Sequence, residues 1–491
     1  MSIKEFVNQV QKIMRKDPGL DGDAQRISQL VWLIFLFTYD ARESVWEDEF
    51  KDVGDVYKSI IPEELRWRNW AKDVKDGKAL TGDGLIYFVN NELLPRLASL
   101  EVTELTPKRQ AIVKSALDGV FNYMKDGVLL REVVNILNEV NIHNYEESHA
   151  FNDIYENILK DLQSAGNSGE FYTPRPLTNF IVDKLAPKIG ERIGDLACGT
   201  GGFLVDSFNY MYKPGITPEE HEMIGRNLVG VEKKPLPHIL CMTNLILHGI
   251  DEPQIFRGNS LERNVREYNL EDKFDVMIMN PPFGGVEKDD IKANFPADMR
   301  TSETADLFVA SILYRLTRNG RVGIVLPDGF LFGADSAKIA IKKKLLETCN
   351  LHTIVRLSSG VFAPYTSLST NVLFFEKGRS TQRIDFYQVQ LPSGRKRGAN
   401  RNIAFSSEHL KGVNEWWDNR DNGDPNAYSV SIDDVMRRNY SLDFRNTEAE
   451  SLGETITLAE LMANLERNDQ RIQRIQTLNA ELKRALEGVL G

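Results

Sequence analysis

An apolar run, DVMIM at 275–279, stops on Asn280, Pro281, Pro282 and Phe283. Asparagine before proline is held extended and two successive prolines lock their own φ, so these four residues predict a rigid corner at the end of a strand. A planar exocyclic amine brought to such a corner can donate one hydrogen bond to the Asn280 side-chain oxygen and another to the Pro281 backbone carbonyl. Phe283 can stack on the ring that carries the amine. The two acceptors draw the nitrogen toward a more nucleophilic geometry without first removing a proton, each bond contributing about 1 kcal/mol net and more in a dry pocket. A Pro-Pro pair alone more often punctuates a loop, so the corner takes its meaning from what accompanies it.

Two other strand exits accompany it. In GDLACGTGGFLVDS (194–207) Asp195 ends a short apolar run, and Gly199, Gly201 and Gly202 fill the turn before a helix. Glycines there permit a tight backbone and close approach of a ligand to the helix N-terminus. The spacing is not GxGxxG, and GxxxxGKS is absent, so neither a dinucleotide fingerprint nor an ATP motor is supported. In LVGVEKKP the run ends on Glu232, a carboxylate placed to accept hydrogen bonds from two ribose hydroxyls. A lone glutamate at a strand end is ordinarily a solvated carboxylate; a glycine turn one strand earlier shifts the balance toward a nucleoside contact.

The elements that must hold these residues follow from hydrophobic spacing. Up to about residue 160 apolar positions recur at three and four, as in AQRISQLVWLIFLF, RQAIVKSALDGVFNYM and VLLREVVNILNEV, which predicts a helical domain over 1–160. From about 185 short apolar runs alternate with helix-period segments: ERIGDLA, NLVGVE, QIFRGN, FDVMIMN, GRVGIVLP, LHTIVRLS and NVLFFEKG are the strands. That alternation implies an α/β domain with a mostly parallel sheet covered on both faces, assigned to 161–440, whose ligands bind at the C-terminal strand ends. The segment from about 386 is poorly patterned and holds the densest basic patch, SGRKRGANRN at 393–402. A tail over 441–491 carries a heptad seam from Leu458 to Val489 interrupted by Asn468 and Asn479, a coiled-coil signature; a terminal helix packed on its own domain is the alternative, and the two asparagines favour a partner helix.

Bulk composition narrows the classes. The chain of 491 residues is 42% hydrophobic and 27% charged, as expected of ordinary globular domains. The longest apolar run, LVWLIFLFT at 30–38, is too short for a membrane span and reads as a buried helix. The N-terminus lacks the pattern of a secretory signal, which points to the cytoplasm. Cys198, Cys241 and Cys349 are far apart and odd in number, and the closest histidines, His143 and His149, lack metal-ligand spacing, so neither disulfides nor a metal is expected. A net charge of −11 is awkward for a chain that would hold a polyanion alone.

DLACGTGGF followed by NPPF resembles the S-adenosylmethionine-dependent amino-methyltransferases of DNA. GEFYTPRPLTNFIVDKL (169–185) narrows the resemblance to the modification (M) subunit of type I restriction-modification systems, and the stretches at 305–333 and 360–378 are similar to the same family. The resemblance covers most of the chain. It implies a Rossmann-like methyltransferase sheet between an all-helical N-terminal domain and a helical, coiled-coil tail for subunit assembly. It also implies transfer of a methyl group from S-adenosyl-L-methionine to N6 of a flipped-out adenine. On this resemblance Asn280, Pro281, Pro282 and Phe283 grip the adenine, and Phe171, Tyr172 and Thr173 flank the methionine end of the cofactor. Asp195, Cys198, Gly199, Thr200, Gly201 and Gly202 shape the cofactor pocket, Glu232 holds the ribose, and Asn259 and Ser260 lie by the cofactor adenine. Leu196 stands where the family usually has proline, with little expected effect on the turn. Asn259 stands where an aspartate is common; its amide oxygen still accepts.

The resemblance further implies partners: DNA, a specificity (S) subunit that reads the sequence with two M chains bound to one S, and a restriction (R) subunit in the full nuclease. An S subunit that supplies much of the DNA contact explains the acidic balance, with Arg395, Lys396 and Arg397 available for phosphate. Other readings remain open at this point. A stand-alone DNA methyltransferase, a protein-glutamine or RNA methyltransferase and a noncatalytic assembly subunit each account for part of the pattern.

Overall fold

The computed structural model describes residues 3–72, 79–140, 155, 172–358, 361–362, 366, 368–390, 405–420 and 423–445. The heptad tail, the 393–402 basic patch, the His143–His149 stretch and Phe171 lie outside the described residues.

The N-terminal helices gather around one long helix, Asp23–Asp52, in which Ile27 and every residue from 29 to 41 are buried. A helix buried on all sides along this stretch belongs inside a bundle: helix Gly127–Asn138 packs on it and helix Ile3–Met14 packs on Gly127–Asn138, while the Tyr39 hydroxyl donates to the Arg109 carbonyl of helix Lys108–Leu117 at 3.2 Å. The last of these starts on Asp126, whose carboxylate accepts from the Val128 and Leu129 N–H groups. Helical spacing in RQAIVKSALDGVFNYM runs past the true end. The helix stops at Leu117, Gly119 takes φ +73°, and the Tyr123 N–H is drawn instead to Gln29 Oε1 at 2.8 Å.

The α/β region is built on nine strands among the described residues: β1 Ile193–Asp195, β2 Leu228–Glu232, β3 Gln254–Arg257, β4 Phe274–Met279, β5 Leu316–Pro327, β6 Cys349–Arg356, β7 Thr370–Lys377, β8 Arg383–Gln388 and β9 Ala427–Ser431. Their order is β3-β2-β1-β4-β5-β7-β6-β8-β9. Strands β3, β2, β1, β4 and β5 pair in parallel, β7 inserts antiparallel between β5 and β6, and β8 returns parallel to β6. Beyond the expected strands lie β8 and β9, an extension within and beside the segment that had shown little pattern. Their partners, not their own alternation, make them strands: Ile384 pairs with Val430 and Phe386 stacks on Tyr428.

Helices cover both faces. Arg175–Leu185, Gly202–Met211 and Pro235–Leu247 pack one side, in a core continuous with that of the N-terminal bundle, while Thr304–Arg315 and Ser336–Thr348 pack the other. This is why β4 reads as a near-continuous apolar run. Helix Pro235–Leu247 lies against Asp23–Asp52, and nearby Arg42 Nε and Nη2 donate to the two Asp251 carboxylate oxygens at 2.8 Å each. Among the described residues no helix is long and apolar enough to cross a membrane.

Candidate functional site

Sheet order reverses at β1, which lies between β2 and β4, and a cavity of about 630 Å³ opens at the C-terminal ends of these strands. Such a switch point is where open α/β sheets bind ligands, because the connections there leave to opposite sides. Twelve of the sixteen site residues expected from sequence line this cavity.

Below β1 the turn is set by two glycines. Gly199 has φ +53° and donates its N–H to Glu232 Oε2 at 3.0 Å; Gly201 has φ +79°, and a Cβ there would meet Cys241 Sγ at 2.7 Å. Gly201 therefore lets the turn close onto helix Pro235–Leu247 and does not itself line the cavity, whereas Cys198, Thr200 and Gly202 do. Asn244 Nδ2 holds the Thr200 carbonyl at 2.9 Å from the same helix. Asp195 ends β1 with 1% exposure, and its Oδ1 accepts from the Ala197 N–H at 3.2 Å. Burial pushes its carboxyl up to about 8; the neighbouring Glu232 carboxylate adds to this and the Ala197 N–H opposes it.

Glu232 ends β2. One oxygen takes the Gly199 N–H and the other the Lys234 N–H at 2.7 Å. Burial raises its carboxyl while these backbone donors pull it down. Each oxygen keeps a further lone pair, so the group can still accept from two hydroxyls. After β3, Asn259 Oδ1 accepts from the Leu261 N–H at 3.1 Å and the Ser260 hydroxyl donates to the Leu196 carbonyl at 2.6 Å; both residues line the cavity.

Asn280 follows β4. Its Nδ2 donates to Thr173 Oγ1 at 3.1 Å, and its Oδ1 is buried without a partner among the described residues. A buried amide oxygen left bare costs free energy unless something donates to it. Pro282 and Phe283 line the cavity, while Pro281 is buried and is not part of its lining. Tyr172, 4% exposed, belongs to the core and does not line the cavity, whereas Thr173 does.

Several lining residues carried no sequence signal. Val231, Lys233 and Lys234 flank Glu232, and Gly284 to Glu287 with Thr304 and Phe308 close the outer wall. Phe362 meets the Phe283 ring edge-on, centroids 5.9 Å apart at 88°. Adjacency to Glu232 and to NPPF could have flagged the first two groups; Thr304, Phe308 and Phe362 arrive from remote elements. Among the described residues no group of three His, Cys, Asp or Glu side chains is placed to hold a metal ion.

Residues 146–453 match the N-6 DNA Methylase family and residues 3–140 match the HsdM N-terminal domain. The chain is 44% identical to the type I restriction enzyme EcoEI methylase subunit of Escherichia coli, over 100% of this chain and 98% of that one. A modification subunit assigned to a type I restriction enzyme of Vibrio vulnificus YJ016 superposes with a TM-score of 0.79 at 38% identity, covering 92% of this chain and 98% of that one. A chain solved in a study of complex assembly and conformational transition of the type I R-M system superposes at 0.80 with 34% identity, covering 98% and 99%.

Proposed function

This chain belongs to the N-6 DNA methylases and, within them, to the methylase subunits of type I restriction enzymes, and we propose that it transfers a methyl group from S-adenosyl-L-methionine to N6 of an adenine flipped out of duplex DNA. It is the DNA-methylating subunit of a type I restriction-modification complex and works with a specificity subunit and DNA.

The observation that carries the adenine reading is the buried Asn280 Oδ1, an acceptor without a partner among the described residues, on a residue that lines one cavity with Phe283, Glu232 and the glycine turn. An exocyclic amine supplies the missing donor. Asn280 Oδ1 and the Pro281 carbonyl would each take one of its two protons, leaving the nitrogen lone pair directed out of the plane. Phe283 would stack on the purine, steadied by Phe362. These groups orient the nucleophile; none has to abstract a proton before transfer.

The residues at the first three strand ends fit a nucleoside-bearing sulfonium. Glu232 would accept from the ribose hydroxyls, Asp195 would face the cationic methionine portion, Thr173 would border it, and Asn259 and Ser260 would edge the adenine ring. Phe171 and Tyr172 are assigned there by family resemblance, as are the shaping roles of Cys198, Gly199, Thr200, Gly201 and Gly202. The bound cofactor supplies an electrophilic methyl group; the chain supplies alignment, dryness and the acceptors.

We extend the proposal to the assembly. Residues 1–160 form the helical domain, 161–440 the methyltransferase and 441–491 the assembly tail, two such chains join one specificity subunit, a restriction subunit adds cleavage, and the complex works in the cytoplasm. The test is single-molecule sequencing of host DNA with the intact gene and with Asn280→Ala. Loss of N6-methyladenine at a two-part site supports the reading; an unchanged pattern with the variant as sole source of this subunit would refute it.

A further inference from the structure

Beyond Phe283 the chain folds back as a short lip over the cavity. Val286 and Glu303 form an antiparallel bridge, the Glu287 N–H donates to the Ser302 carbonyl at 2.8 Å, and the Thr304 N–H donates to the Gly285 carbonyl at 3.0 Å. The Thr304 hydroxyl donates to Glu287 Oε1 at 3.1 Å. A Cβ on Gly285 would stand 2.6 Å from Thr304 Oγ1, so the two arms meet at a separation only glycine permits. From helix Ser336–Thr348, Lys338 braces the outer arm by ion pairs to Glu303 at 2.7 Å and Asp306 at 3.0 Å.

Val286 sits on this tied lip. It lines the cavity and is nevertheless 75% exposed. A single exposed valine is ordinary on a protein surface, so exposure alone carries nothing. What distinguishes this one is its place. Between Phe283 and Glu287 the lip offers only Gly284, Gly285 and Val286, and Glu287 is already engaged by Thr304. The apolar contact this rim can make with anything entering the cavity is therefore Val286.

We propose that Val286 enters the base stack beside the target and fills the gap left when the adenine turns into the cavity. The inference rests on the adenine-methyltransferase reading above. Extrusion of a base forfeits its stacking and pairing, and an apolar side chain in the vacated space restores part of the lost contact. A β-branched side chain suits this, because it has few rotamers to lose on insertion. The bridge to Glu303 and the Lys338 ion pairs hold the lip in place, so the plug is preorganised at the mouth that receives the flipped base.

The test uses the complete complex with its specificity subunit and two duplexes of the mapped site. In one the target adenine faces thymine; in the other it faces an abasic position, where extrusion is less costly. Val286→Ala is expected to lose about tenfold in kcat/KM on the paired duplex and less than about twofold on the abasic one, with Val286→Ile near the parent on both. Val286→Thr, alike in shape but polar, is expected to fall with the alanine variant. Because the side chain is 75% exposed, the thermal midpoint of the alanine variant should match the parent. Equal losses on the two duplexes, or no loss on the paired one, would overturn the proposal. A parent complex that methylates neither duplex would instead refute the adenine-methyltransferase reading beneath it.

Discussion

Asn280 Nδ2 donates to Thr173 Oγ1 at 3.1 Å across 107 residues of chain, which fixes the amide of a cavity-lining residue and leaves its buried oxygen without a partner among the described residues. Thr173→Val keeps the shape and removes the acceptor, freeing the amide to rotate. Single-turnover methyl transfer is expected to slow by about tenfold, with Thr173→Ser close to the parent. A valine variant at the parent rate would show that the corner needs no such clamp.

Glu232 holds two backbone N–H groups, from Gly199 and Lys234, one on each oxygen. Glu232→Gln sets an amide N–H₂ against one of those donors, so the turn as well as the ribose contact is disturbed. Cofactor affinity measured by calorimetry is expected to weaken by about tenfold or more. A change under twofold would remove Glu232 from the cofactor's contacts.

Asp195 gives the site a pH dependence. Its carboxyl is pushed up to about 8 by burial, well above its ordinary 3.8. Between those values the folded chain keeps a proton that the unfolded chain has released. The group's contribution to stability is therefore full below about 4 and is lost as pH rises through about 8, with a slope near 1.4 kcal/mol per pH unit in between. Thermal midpoints of the cofactor-free protein should fall more steeply from pH 5.5 to 8 than those of Asp195→Asn, which keeps an acceptor for the Ala197 N–H. Glu232, raised by the same burial, contributes a slope of the same sign to both proteins. Parallel curves for parent and variant would contradict the assignment.

Gly201→Ala meets two obstacles, a φ of +79° and Cys241 Sγ at 2.7 Å from the new methyl group. Destabilisation of about 1–3 kcal/mol is expected. Adding Cys241→Ala should return the steric part and leave the backbone part, a double-mutant cycle read by chemical denaturation. Additive losses would mean that the contact with Cys241 does not govern the turn.

Covalent geometry and local periodicity were legible in the chain alone. Two prolines stiffen any corner they occupy, glycines mark turns that other residues strain, and the alternation of apolar runs with helical spacing implies a covered parallel sheet; hence Asn280, Gly199 and Glu232 stood out before any fold was known. Apolar spacing alone did not reveal that helix Lys108–Leu117 stops before Gly119, which takes φ +73°, nor that Gln29 from a distant helix accepts the Tyr123 N–H beyond it. Nor did it reveal β8 and β9, which are strands by virtue of their pairing. Only the tertiary structure set Gly199 on Glu232 from 33 residues away, Thr173 on Asn280, Phe362 against Phe283 and the lip that carries Val286 over the cavity. Periodicity records which face of an element is buried, whereas these contacts depend on the order in which strands and helices are assembled, and that order is decided by packing across the whole sheet.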